Sequence, residues 1–517
     1  MKIRNGLEGV GAALLLFPYY LPFFHPQNHE LYHHGLPVGN LVGGLLADLF
    51  GCAILLAGLL IATERFPKRI KRIAEAMFSG LMLWSIVRFA IEMLILLQYP
   101  IESWRRIWEL SAIAIPLISG AMAVFLPRFA STGIRMVRIT LMAFSFSALW
   151  IVPHLIHLAL ARQPIRTAAS IAPPAAARSI SNRRIIWILF DELSYDQSFD
   201  HVAPGIQLPN LNRLRARSVT FSNLRPDGYR TDRIIPSLFL GRHFEQFHST
   251  ITGELSYWDE SERRWIEYDP SATLFGLAQR NGWNAGIDGW YNPYCEILAP
   301  VLNACFNDPG IVLVPMEAYG ASEDKTALAN ATLLPDEFLA ALIHPKKVTA
   351  EEHVRAYLAI MMHARAQIGD SRLSFVFIHL PVPHPPGIYD RKRHELRAGG
   401  DYLDNLVLAD DTLGMLIREI DASPAASQTT LIVSSDHSWR TPMWRHDEGW
   451  SAEEEQVSGG RFDIRPVLLI HFPTQESGHD VPAVLPEMLE HDMIAGMLLG
   501  KIKNTNDLNV FLSHLDH

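Results

Sequence analysis

Five apolar stretches crowd the first 161 residues, at about 7 to 25, 37 to 62, 75 to 97, 108 to 127 and 136 to 161. A helix needs roughly 20 apolar residues to cross a hydrocarbon core, so this pattern predicts an α-helical membrane domain of about five spans. The first stretch, LEGVGAALLLFPYYLPFF, is followed by no small-residue cleavage site and by four more runs. It reads as an anchor rather than a removable signal. Loop charges orient the spans. ERFPKRIKRIA, between the second and third, carries five Lys or Arg, and the next basic connection carries Arg128, Arg135 and Arg138. FHPQNHELYHHG has neither Lys nor Arg, and the loop near Trp104 has Arg105 and Arg106. Basic loops stay in the cytoplasm. The expectation is a multi-pass plasma (inner) membrane protein with a cytoplasmic N-terminus and everything after residue 161 periplasmic or extracellular.

Residues 162 to 183, rich in Ala, Pro, Ser and Arg and without periodicity, have linker composition. Residues 184 to 517 then form the second domain. Ile185 to Phe190 is a short, continuously apolar run, as are Leu373 to Leu380, Thr430 to Ser434 and Val467 to Phe472. Such runs suit strands buried on both faces. Helical patterns lie between them, in LPNLNRLRARS, TLFGLAQRNG and VTAEEHVRAYLAIMMHARAQIG. The alternation predicts an α/β domain with a mainly parallel central sheet flanked by helices, and ligands at the carboxyl ends of its strands. A net charge of -9 suggests no nucleic-acid partner, and nothing implies a protein partner. Cys295 and Cys305 are either a short-range disulfide or two free thiols, in a spacing that resembles no zinc motif. His25, His29, His33 and His34 share one loop and suit exposure better than metal binding.

Chemistry collects where the strands end. Asp191 and Glu192 follow the first run, Asp436 and His437 the third, and His384 sits in PVPHPP after the second; His446 follows in MWRHDEG. Oxygen and imidazole ligands from separate strand ends make a divalent metal site, or two. In DGYRTDRIIPSLFLG, Thr231 falls in the first turn of a helix, where unpaired N–H groups and the positive dipole end favour an anionic partner. It is the candidate nucleophile. Each residue also has a plainer role: Thr231 as an N-cap, the acids as caps or solvated carboxylates, and His384 as a turn filler. The joint placement favours chemistry.

These segments resemble the alkaline phosphatase and sulfatase superfamily, above all its membrane-anchored branch of lipoteichoic acid synthases and lipid A phosphoethanolamine transferases. LPNLNRLRARSVTFSN, VSSDHS and YLDNLVLADDTLGMLIREID carry the resemblance, over roughly residues 184 to 475. It implies that Asp191, Thr231, Asp436 and His437 surround one metal ion, with Glu192 a further candidate ligand. It also implies that His384 and His446 bind substrate phosphate or a second metal, and that Pro236 matches the Pro after the transferases' Thr. Sulfatases carry Cys or Ser, then Pro two residues on and Arg four residues on. Here the three positions are Thr231, Arg233 and Ile235, and Gly241 alone fits both patterns. Asp191-Glu192 resembles the sulfatases' paired acids, and Ser438 replaces the usual Gly.

Threonine cannot become formylglycine, so the expectation is phosphoryl chemistry with one or two zinc, manganese, magnesium or calcium ions. The predicted enzyme is a membrane-anchored transferase that moves a phosphoethanolamine- or phosphoglycerol-type head group from a lipid donor to an envelope lipid or glycan acceptor through Thr231. The alternatives are a phosphodiesterase or sulfuric-ester hydrolase of the same superfamily, and a membrane scaffold with a vestigial site.

Overall fold

The computed structural model describes residues 2–16, 20, 24, 38–95, 105–160, 183–249, 255–308, 345–447 and 449–515. The histidine loop and, apart from Arg183, the segment read as a linker lie outside these residues. The chain forms two compact units: one of Met1–Leu31, Leu36–Gln163 and Leu313–Leu342, the other of Tyr32–Gly35, Pro164–Val312 and Ile343–His517.

The first unit is helical. Its helices are Lys2–Leu16, Val38–Thr63, Lys68–Ile95, Arg105–Phe125, Pro127–Ser145 and Ala148–Leu160. Among the described residues one stretch, Val42–Thr63, is long and apolar enough to cross a membrane, with 22 residues and a mean hydropathy of 2.4. A second qualifies if Pro127–Ser145 and Ala148–Leu160, bent by 40°, are one broken span. The structure thus supplies one or two spanning candidates where the sequence pattern predicts five. The described part of the first run is a helix of 15 residues. The helix Lys68–Ile95 begins with Lys68, Arg69, Lys71, Arg72 and Glu75, which shorten its apolar part. Close helix approach is enforced at Gly11, where a Cβ would lie 2.1 Å from the Leu141 carbonyl oxygen.

The second unit is an α/β domain built on an eight-stranded sheet. Its strands, in chain order, are β1 (Arg184–Phe190), β2 (Val219–Phe221), β3 (Ala285–Trp290), β4 (Ala304–Asp308), β5 (Phe375–Leu380), β6 (Thr429–Ser434), β7 (Leu468–His471) and β8 (His479–Val481). The spatial order is β8-β2-β7-β6-β1-β5-β3-β4. From β6 to β4 every pair is parallel, whereas β7 runs antiparallel to both β6 and β2. All seven residues of β1 are buried. Ile185, Trp187 and Leu189 enter one core layer while Ile186, Ile188 and Phe190 enter the other, as a strand covered by helices on both faces requires.

The helix Tyr402–Ala422 holds two parts of the domain in place. Asp410 accepts hydrogen bonds from the backbone N–H groups of Asn210 (3.2 Å) and Leu211 (2.7 Å), fixing the start of the helix Pro209–Arg215. Asn405 donates to the carbonyls of His384 (3.0 Å) and Pro386 (3.2 Å) and accepts from the Ile388 N–H (2.8 Å). The Pro-rich loop after β5 is pinned by this buried amide together with His353, whose ring nitrogens lie 2.7 Å from the Pro381 carbonyl and 3.1 Å from that of Pro386. Cys295 and Cys305 are joined in a disulfide, which ties the short helix Tyr294–Ile297 to β4.

Candidate active site

The three central strands β6, β1 and β5 lie side by side and parallel, so their carboxyl ends deliver side chains to one place. Asp191 follows β1 directly, Asp436 and His437 follow β6 after one serine, and His379 is the penultimate residue of β5. Register puts Leu189 level with both Ser434 and His379. Thr231 completes the group as the first residue of the helix Thr231–Leu240, whose N-cap Arg230 is extended. At the other end Gly241 closes that helix at φ 67°, a left-handed position that favours glycine.

The Thr231 hydroxyl lies 2.7 Å from Asp436 Oδ2, 3.3 Å from Asp191 Oδ2 and 3.5 Å from His437 Nε2. One hydroxyl has one proton to give. Asp436 Oδ1 is occupied by the backbone N–H groups of Glu192 (3.2 Å) and His437 (3.0 Å), which fixes the carboxylate plane. His437 Nδ1 is 3.1 Å from the Ser438 carbonyl, so it carries the proton and leaves the Nε2 lone pair toward the group. That lone pair lies 3.2 Å from Asp436 Oδ2, and Asp191 Oδ1 has no hydrogen-bond donor. Acceptors outnumber donors.

Burial dominates the titration of these groups. It pushes Asp191 well above the usual carboxylate range against the pull of Arg440, and raises Asp436 to about 8 with help from neighbouring Asp191. It holds His437 well below the usual imidazole value, reinforced by Arg440, and lowers His379 to about 4. The imidazoles are therefore neutral, as metal ligation requires. Ligand atoms of Asp191, Asp436 and His437 lie within 4.8 Å of one another. With both aspartates ionised, Asp191, Glu192 and Asp436 against Arg440 would leave two negative charges in a buried space, and the raised carboxyl values mean that protons offset that charge until a cation does. Converging acceptors, neutral imidazoles and carboxyl groups whose protons a cation would displace fit a divalent ion.

Glu192, grouped on sequence with the metal ligands, is engaged elsewhere. Its carboxylate accepts from Arg440 Nε and from Trp444 Nε1 (3.0 and 2.8 Å), and its backbone sits at φ 66°. His384 is reached through the same arginine, with Nε2 3.0 Å from Arg440 Nη2. An imidazole nitrogen accepting from a guanidinium holds no proton of its own, so His384 is neutral; burial and Arg440 both keep it well below its ordinary value. It is a binding group here rather than a resting proton donor. His446 is exposed in the turn after the helix Thr441–Trp444 and is absent from the cluster of Asp191, Asp436 and His437.

Two site residues escape a reading of the sequence. Arg440 links Glu192, His384 and the Tyr229 carbonyl (3.1 Å) while influencing Asp191 and Asp436, yet in DHSWRTP it looks like a surface cation. His379 is fully buried; its Nδ1 is 2.8 Å from the Tyr294 hydroxyl, and its Nε2, 3.5 Å from Asp191 Oδ2, has no hydrogen-bond partner. Within the apolar run FVFIHL it reads as part of a strand core. The one signal was its position, one residue before the strand ends. Gly289 makes room for this arrangement, since a Cβ there would meet the Tyr294 ring at 2.4 Å and His379 at 3.4 Å.

The sulfatase family model matches residues 183–485. No curated protein matches the chain. Among solved structures it is similar to the PsFucS1 sulfatase from Pseudoalteromonas sp., at 13% identity over 63% of this chain and 69% of that one, with a TM-score of 0.42. It is also similar to Ps i-CgsB, at 14% identity over 63% and 74% of the two chains, TM-score 0.41. A third likeness is murine ectonucleotide pyrophosphatase / phosphodiesterase 5, at 11% identity over 61% and 95%, TM-score 0.35. Likenesses this distant say nothing of what the chain acts on.

Proposed function

The chain belongs to the sulfatase family, and from that premise we propose a metal-dependent enzyme that transfers a phospho-head-group from a membrane lipid through a covalent Thr231 intermediate. The observation that supports it best is the Thr231 hydroxyl at the start of a helix, 2.7 Å from Asp436 and 3.3 Å from Asp191. A threonine has no route to formylglycine, so the oxygen itself is the nucleophile, and phosphorus is its natural target.

Asp191, Asp436 and His437 would hold the cation, and the imidazole among them favours zinc over magnesium or calcium. When bound, the cation supplies Lewis acidity that lowers the hydroxyl pKa and neutralises charge on the reacting oxygens. The protein groups do the rest. Thr231 gives up its proton as the Oγ–P bond forms and the bond from phosphorus to the diacylglycerol oxygen breaks. That proton ends on the departing oxygen, giving diacylglycerol. The helix N-terminus faces the anionic phosphoryl oxygens, and Arg440, bonded to His384, supplies positive charge beside Asp191 and Asp436. In the second half an acceptor hydroxyl attacks phosphorus, its proton returns to Thr231, and the Oγ–P bond breaks.

The membrane placement rests on the first unit. Large apolar side chains such as Phe50, Leu55, Leu59, Ile113, Leu117 and Phe129 are exposed on its helices, as lipid-facing residues are. We place residues 1–161 in the inner membrane as a multi-pass anchor, 162–183 as linker and 184–517 outside as the catalytic domain. A tether at the bilayer raises the effective concentration of lipid donors. Family membership also supports an ester hydrolase, in which water takes the acceptor's place. Vesicles with head-group-labelled phosphatidylethanolamine or phosphatidylglycerol test both. The transferase reading expects diacylglycerol and label moving to an envelope acceptor. Free labelled head group at equal rate without acceptor identifies a hydrolase, and an intact lipid pool overturns both.

A further inference from the structure

A second antiparallel sheet, of strands Phe247–Ser249, Leu255–Asp259 and Arg264–Glu267, lies outside the catalytic layers. Leu255, Tyr257 and Asp259 are buried while Ser256 and Trp258 are not, so the sheet has an inner and an outer face. The outer face of such a sheet is ordinarily polar. Here it carries two tryptophans directly opposite each other, Trp258 and Trp265. Their rings are 5.7 Å apart at 68°, forming a corner, and Trp265 is 43% exposed.

This corner is one wall of a cavity of about 500 Å³ completed by Gln246, Glu260 and Arg263. Among the described residues no hydrogen bond or ion pair engages the side chains of these three. The turn that presents them is fixed: Asp259 Oδ1 accepts from the N–H groups of Ser261 (2.8 Å) and Glu262 (2.9 Å), and Arg242 pairs with Asp259 Oδ2 at 2.7 Å. Arg242 follows the C-terminal Gly241 of the nucleophile helix, so the turn lies at the end away from Thr231. Ten residues of helix put it roughly 15 Å along the axis from the hydroxyl.

We propose that this cavity is a saccharide-binding subsite, separate from the Thr231 centre, that takes a neutral pyranose unit. A pyranose presents an apolar C–H face and a rim of hydroxyls. The C–H face carries partial positive charge and stacks on the negative face of an indole, while the second indole walls its edge. Arg263 and Gln246 supply donors to the hydroxyls and Glu260 an acceptor, in the mixed lining that small-ligand pockets use. The single positive and single negative side chain cancel, which favours a neutral ring over an anionic one. Charged groups on the wall disfavour an acyl chain. The proposal stands apart from the transfer chemistry above.

Isothermal titration of the full chain in detergent with maltohexaose, cellohexaose and chitohexaose tests it. The expected result is saturable binding of at least one, weakened about tenfold or more in both Trp265→Ala and Arg263→Ala. Cleavage of a small soluble phosphodiester should be unchanged in both. A cross-strand aromatic pair also stabilises a hairpin, so Trp265→Phe, which keeps the pair, and Arg263→Ala, which leaves it intact, carry the decision if Trp265→Ala melts early. No saturable binding of any probe, or undiminished binding in Arg263→Ala, overturns the proposal. So does loss of binding to phosphatidylglycerol vesicles in Trp265→Ala with saccharide binding intact, which would make the face a membrane contact.

Discussion

Arg138 in the helical unit and Thr231 in the α/β unit each stand among buried carboxylates, and the two groups are completed differently. Arg138 Nε donates to both oxygens of Glu8 (3.0 and 2.9 Å), Nη1 to Glu75 (3.0 Å) and Nη2 to Asn5 (3.3 Å). Each of its nitrogens has a partner. Around Thr231 a single hydroxyl proton serves Asp191, Asp436 and His437, and both Asp191 Oδ1 and His379 Nε2 lack a hydrogen bond. A buried network with balanced donors and acceptors is complete as folded. One with surplus acceptors is built for a cation.

That contrast is open to direct attack, and the largest effect concerns Thr231. Thr231→Ala should lower turnover by roughly 10³-fold or more while the melting temperature stays within a few degrees of wild type. Activity within tenfold of wild type would remove the nucleophile. Asp436→Asn should lose bound divalent metal by elemental analysis, with activity down about 10²-fold. In chelator-treated protein the same change should raise the melting temperature, because it relieves two facing carboxylates. Arg138→Ala should act in the opposite sense and destabilise by about 2–4 kcal/mol, since it leaves buried Glu8 with only the half-exposed Arg4, 3.4 Å away, as counter-charge. Equal stability losses in both variants would erase the distinction between a closed and an open cluster.

A smaller effect is the pH dependence of stability. Burial raises Glu490 to about 8, whereas an unfolded glutamate titrates near 4. Between those values the native state holds more protons than the unfolded one, so this group's contribution to stability falls as pH rises and levels off above about 8. The buried His353 and His379, lowered to about 4, act in the opposite direction below pH ~6.5. The clean quantity is the difference between Glu490→Gln and wild type, which should grow in the variant's favour from pH ~5 to ~8; a flat difference counts against the assignment. Least affected is His446→Ala, expected within about twofold of wild-type activity.

Much of the α/β unit was legible because its signals are local. Ile185 to Phe190 is apolar without interruption, and the runs before Asp436 and through His379 mark the strands that flank it. Acids and a histidine at such strand ends point to the site without knowledge of the packing. β3 was illegible: AGIDGW has no continuous apolar run, and its small residues are there because Gln367 and Tyr294 press on Gly286 and Gly289. Arg440 went unread, and the pairing of Glu192 unseen, for one reason, that each meets the other across 248 residues of sequence. His446 shows the converse, where nearness in sequence to buried His437 still leaves a side chain exposed. In the helical unit one or two of the five apolar runs qualify as spans among the described residues, where charged turns and bends divide the others.

The most direct test is intact-mass and peptide-mass analysis of metal-loaded protein after incubation with phosphatidylethanolamine and phosphatidylglycerol vesicles, quenched in acid before acceptor is added. The expected result is a phospho-head-group adduct on the Thr231 peptide, absent from Thr231→Ala and from chelator-treated protein, and lost when acceptor is supplied. Lipid turnover with an unmodified Thr231 peptide at every time point, or an adduct on another residue, would contradict the account.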